Sequence, residues 1–67
     1  PVATWSGTLN NDDTHTIVHN LGYMPIVQFT GSTGNIILTV YHNNTNQTTV
    51  RNYNSGGNPW TGTVSLY

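Results

Sequence analysis

Any chemistry in this chain must come from very few side chains: His15, His19 and His42, the acids Asp12 and Asp13, and the single base Arg51. Imidazole is the commonest metal ligand near neutral pH. On an extended strand, however, His15 and His19 stand about 13 Å apart at ~3.3 Å per residue, too far to chelate one ion. One histidine from each of three chains around an axis would meet that geometry. The simpler expectation is that His19 hydrogen-bonds the backbone of its own turn. Asp12 and Asp13 are adjacent, so they point apart on an extended chain, and no His, Ser or further acid is spaced to complete a hydrolytic pair. A Gly-rich phosphate loop, a nucleophile elbow and zinc-ligand spacing are all missing. The chain is expected not to be an enzyme, with no metal site and no cofactor.

Binding is the better-supported kind of chemistry. Trp60 follows Gly56-Gly57 and Asn58-Pro59, a run that reads as a loop holding an indole beside an amide. Indole faces stack on sugar C–H surfaces, and Asn amides bond hydroxyls. The candidate ligand-binding set is therefore Trp60, Asn58, Tyr53 and Tyr23, the two tyrosines lying in expected turns. The competing reading has Trp60 capping the end of the domain or filling a subunit interface, because large aromatics dominate burial. Trp5 is expected in a core or interface. Asn43-Asn44-Thr45 and Asn46-Gln47-Thr48 match the glycosylation sequon, as an Asn- and Thr-rich chain does by chance.

The elements that must carry these residues are strands. Sixty-seven residues make one small domain, residues 1–67. A domain of about 60 residues buries only about 60% of its unfolded surface. With no Cys to staple it, oligomerisation or attachment to a larger body is the remaining support. Charged residues are 4% of the chain, against about a quarter in ordinary domains. A single Arg leaves no electrostatic footprint for nucleic acid or an anionic membrane. There is no apolar run of membrane-spanning length. The neutral Asn/Thr surface suits an extracellular setting, and Pro1 in place of an initiator Met fits a piece cut from a longer polypeptide.

Alternation of period two places strands at Val2–Gly7, Thr14–His19, Ile26–Thr30, Asn35–His42, Thr48–Asn52 and Gly62–Tyr67. His15, Ile17 and His19 share a face, as do Ile36, Leu38 and Val40. The run Ile36-Ile37-Leu38 is apolar on both faces, which suggests a central strand or one covered by a neighbouring subunit. Asn20 and Gly22 tolerate the positive φ that a corner between the second and third strands needs. Gly31-Ser32-Thr33-Gly34 reads as a hairpin turn. Thr-Ile-Val-His-Asn at 16–20 is echoed by Thr-Val-Tyr-His-Asn at 39–43, which reads as shared turn chemistry. The fold class is all-β: a small antiparallel sandwich or flattened barrel of about six short strands.

Thr16-Ile17-Val18-His19-Asn20-Leu21-Gly22, then Pro25-Ile26-Val27-Gln28, Thr33-Gly34 and a late Asn/Thr-rich strand pair resemble the small C-terminal β-domains of bacteriophage tail-fibre and other receptor-binding virion spike proteins. The pattern covers about Thr14 to Tyr67. That family often has an acidic residue before the Thr-Gly turn. Gly31-Ser32 stand there in this chain, so no ion site carries over. The resemblance implies a homotrimer on the virion surface that attaches to a host-cell glycan or protein receptor. The alternatives are a purely structural trimerisation module at a fibre tip and a free-standing secreted lectin.

Overall fold

The computed structural model describes residues 1–32, 36–53 and 56–67. They form six strands: β1 (Ala3–Leu9), β2 (Thr14–Val18), β3 (Val27–Gly31), β4 (Leu38–Asn44), β5 (Gln47–Asn52) and β6 (Trp60–Leu66). Every pairing is antiparallel. The strands make two three-stranded sheets, ordered β1-β6-β3 and β2-β5-β4. The chain is therefore a sandwich of two separate sheets, not a closed barrel.

The alternation legible in the sequence sets the two faces. Trp5 and Leu9 of β1, Ile17 of β2, Val50 of β5, and Trp60, Val64 and Leu66 of β6 turn inward, while the residues that alternate with them face the other way. Leu9, Ile17, Val50, Trp60, Val64 and Leu66 form the buried core. Ala3, Trp5, Val27, Phe29, Ile36 and Leu38 pack around it. The Trp5 indole stacks on the His15 ring of the opposite sheet, with centroids 4.2 Å apart. Trp60 takes Phe29 edge-on at 5.9 Å.

Three glycines, Gly7, Gly62 and Gly31, stand side by side across the first sheet. A Cβ on Gly7 would lie 2.6 Å from the Trp5 ring, and one on Gly62 would lie 2.7 Å from the Trp60 ring. Gly31 and Gly62 also approach each other's backbone, so a Cβ on either would strike Thr61 O or Thr30 O. The bare row makes a trough that the two indoles fill.

Two expectations about connections are overturned. Gly31-Ser32-Thr33-Gly34 is not the turn of a hairpin, because β3 and β4 lie in different sheets. Gly31 ends β3 against Gly62, and Ser32 N–H donates to Thr61 O at 2.9 Å. Thr33 and Gly34 lie outside the described residues. Of the two readings of the apolar run at 36–38, a central strand or one covered by a neighbouring subunit, the first does not hold for β4. This strand is an edge, and β5 holds the middle of its sheet. Thr48, Val50 and Asn52 are fully buried on β5, whereas Ile37 and Tyr41 are exposed. The apolar run at 36–38 mostly precedes β4 instead of filling it. The tight hairpin in the chain joins β4 to β5, with a register shift between His42 and Asn44.

Other turns follow their residue types. Asp13 carboxylate accepts from Asn10 N–H at 2.9 Å, the local side-chain bond that makes such clusters turn. Asn20 and Gly22 do take positive φ. Their corner carries the chain from the second sheet back to the first, and Pro25 sits just ahead of β3, where no ladder donor is lost.

Candidate functional site

The strand registers give the sandwich two distinct ends along its 35 Å axis. At one end Asp12 N–H donates to Asn52 O at 2.7 Å, and Asn52 Nδ2 donates to Leu9 O and Asn58 O, both at 2.9 Å. Asn52 thus ties the 10–13 turn through its backbone carbonyl, and the end of β1 and Asn58 through its buried side-chain amide. We call this end the tip. At the other end, Asn46 O accepts from His19 and Asn20 N–H, and Asn46 Oδ1 accepts from Gly22 N–H at 3.1 Å. We call that end the base.

The four residues singled out from the sequence do not form one site. Tyr53 and Asn58 both lie at the tip and are exposed. Arg51 lies over the Tyr53 ring at 4.7 Å and reaches Asp12 at 3.4 Å, so all the charged side chains gather at this end. Gly56 and Gly57 adopt positive φ beside Asn58. Trp60 is not on the loop. It opens β6 opposite Leu9 and is 2% exposed, so its indole offers no free face. Tyr23 is exposed on the corner at the base, a full strand length away from Tyr53. Both ion-pair groups are about half exposed, where such pairs contribute at most about 1 kcal/mol.

The outer face of the first sheet has its own composition. Val2 N–H donates to Leu66 O, and Tyr67 N–H donates to Ile26 O. This sets Val2, Tyr67 and Ile26 in one row across the base, all exposed, Ile26 at 75%. Beyond that row the outward positions are Thr4, Ser65 and Gln28, then Ser6, Thr63 and Thr30, then Thr8 and Thr61. None carries a formal charge. The Ser6 and Thr63 hydroxyls bond each other at 2.8 Å, as do those of Thr8 and Thr61. A hydroxyl already paired within the chain loses less on leaving water than an unpaired one.

Sequence reasoning missed a convergence in the second sheet. His19 Nε2 lies 3.2 Å from Thr48 Oγ1, and His42 Nδ1 lies 3.0 Å from the same oxygen. Leu21 N–H donates to His19 Nδ1 at 3.1 Å, the backbone bond expected of this histidine. The signal was the repeated His-Asn at 19–20 and 42–43. β2 and β4 flank β5 on either side, so the two echoes bring their histidines to one threonine. Among the described residues no group of three or more His, Cys, Asp or Glu could hold a metal ion, and no helix is long and apolar enough to cross a membrane.

No family model, curated protein or solved structure matches this chain.

Proposed function

We propose that this chain is a non-enzymatic attachment domain of a virion fibre or spike. It works as a homotrimer whose tips meet a host-surface glycan or protein. The observation that carries the oligomer is the outer face of the first sheet. An exposed apolar row, Val2, Tyr67 and Ile26, runs into hydroxyls that are already paired, with no charged side chain to desolvate. Such a face is inexpensive to bury against another copy. In a three-fold arrangement the contact is heterologous, so this face meets a different surface of its neighbour. The tip supports attachment: Tyr53 and the Asn58 side chain are exposed there, beside the Arg51–Asp12 pair.

The domain is expected to sediment as a trimer at micromolar concentration, and Ile26→Lys to sediment as a monomer. A wild-type monomer overturns the assembly. Tyr53→Ala and Asn58→Ala are expected to weaken adsorption to host cells while leaving the trimer intact. Unchanged adsorption by both removes the tip as the contact. The burial of Trp60 favours a second reading, in which the domain only closes and aligns a fibre. Deleting it would then impair trimer assembly and leave the adsorption of assembled fibres unaffected.

A further inference from the structure

We propose that the apolar flank formed by Ile37, Val40 and Tyr41, on the side of the sandwich where β3 and β4 lie, is the second face of the trimer contact. It receives the outer face of the neighbouring copy's first sheet. The inference rests on the assembly proposed above and names the other half of its interface.

The two sides of the sandwich are closed unequally. β6 and β5 are the middle strands, and the Trp5 ring on His15 sets β1 across from β2. β3 and β4 therefore share the other side. On the first side the stacked rings bridge the two layers. On the second, Phe29 meets Trp60 of its own sheet, and Val27, Phe29 and Leu38 are only partly buried. Val40 shows the difference most plainly. It pairs with Val50 on the inward face of the second sheet, yet it is 39% exposed where Val50 has no exposed surface. No other inward-facing apolar side chain on the six strands is left exposed. Tyr41, on the outward side of the same strand, and Ile37, just ahead of it, are exposed as well, so the apolar surface wraps the β4 edge. Edge strands are commonly guarded by charge or proline, and residues 36–44 contain neither.

A second copy of this chain is the partner that fits. Apart from Tyr53 at the tip and Val18 on β2, the exposed large apolar residues among those described fall in two groups. One lies at the base and includes Val2, Tyr67 and Ile26; the other is this flank. Neither group contains a charged side chain, so pressing one against the other desolvates no such group. A heterologous contact needs two different surfaces on every chain, one for each neighbour. Their placement suits closure too. Ile26 leads into β3 on the first sheet, and β3 borders the flank, so the two contact surfaces adjoin. Val18 points out from β2 on the opposite face of the sandwich. Contacts through opposite faces would propagate in a line instead of closing a ring.

Sedimentation of surface variants of the whole chain tests the flank. Ile37→Lys and Tyr41→Lys are expected to be monomers at micromolar concentration with wild-type circular dichroism, since both positions are exposed. Val18→Lys, also at an exposed position, should remain a trimer. The chain has no cysteine, so introduced thiols report contact alone. With a short bismaleimide the double variant Ile26→Cys/Tyr41→Cys should link into covalent trimers. Each single variant, with one thiol per chain, should reach a linked pair at most. A wild-type trimer that survives both lysine substitutions overturns the flank and leaves the assembly standing. A trimeric double variant that links no further than the single ones does the same. Loss of the trimer in Val18→Lys also overturns it, by placing the contact on the opposite face. A wild-type monomer overturns the assembly and this inference together.

Discussion

Asn52 shows how much one buried polar side chain can hold. Its Nδ2 satisfies two carbonyls from different connections, Leu9 O and Asn58 O, at a position with no exposed surface. Asn52→Leu keeps the volume and leaves both acceptors unpaired. It is expected to cost about 2–3 kcal/mol, read as a lower denaturant midpoint with an unchanged slope. The strand parity at Thr48–Asn52 told which way Asn52 points. Nothing local told that its partners are 6 and 43 residues away. Trp60 teaches the same lesson from the apolar side. Asn58-Pro59 reads as a loop, and by sequence alone the indole next to it belongs with that loop. Pairing with Leu9 draws it into β6 and under the tip. Trp60→Ala is accordingly expected to lose about 3–5 kcal/mol of stability, an effect that would mask any role in binding.

The first sheet depends on its glycine row. A Cβ on Gly62 would meet the β3 backbone at Thr30 and Gly31 as well as the Trp60 ring, and backbone has little room to move. At Gly7 the obstacle is the Trp5 ring alone, which can swing at the cost of its stack on His15. Gly62→Ala is expected to destabilise by about 2–3 kcal/mol and Gly7→Ala by less, measured by chemical denaturation. In the sequence Gly31 and Gly62 looked like turn and strand-start punctuation, since a glycine's local meaning is flexibility. Their close approach exists only once β3 lies against β6. The supposed hairpin at Gly31–Gly34 failed for this reason: the strand-turn-strand pattern there is compatible with crossing to the other sheet, and the contact with Thr61 decides between the two.

At the scale of the molecule, polarity is sorted along the long axis. The formal charges sit at the tip, while Val2, Tyr23, Met24, Ile26 and Tyr67 are exposed at the base. A contact through the base and the outer face of the first sheet would carry no ion pair, so its strength should hardly depend on ionic strength. The proposed trimer is expected to persist between low salt and about 1 M NaCl, where the Debye length falls to about 3 Å. Dissociation by salt would indicate a different, charged interface. Apolar contact also strengthens on moderate warming, so the trimer should not loosen between about 5 and 25 °C by sedimentation.

What the sequence determined by itself is the class of element and the facing of nearly every residue. Alternation is a local property: each strand residue points opposite to its neighbour whatever the strand later pairs with. The strands and the shared face of His15, Ile17 and His19 followed from that, and the positive-φ corner at Asn20 and Gly22 followed from residue type. Only the tertiary structure decided which strands are neighbours, and with them the edge position of β4, the glycine trough and the meeting of His19 and His42 on Thr48. Those depend on contacts between residues far apart in the chain, whose energies come from packing between strands and leave no periodic mark within any one of them.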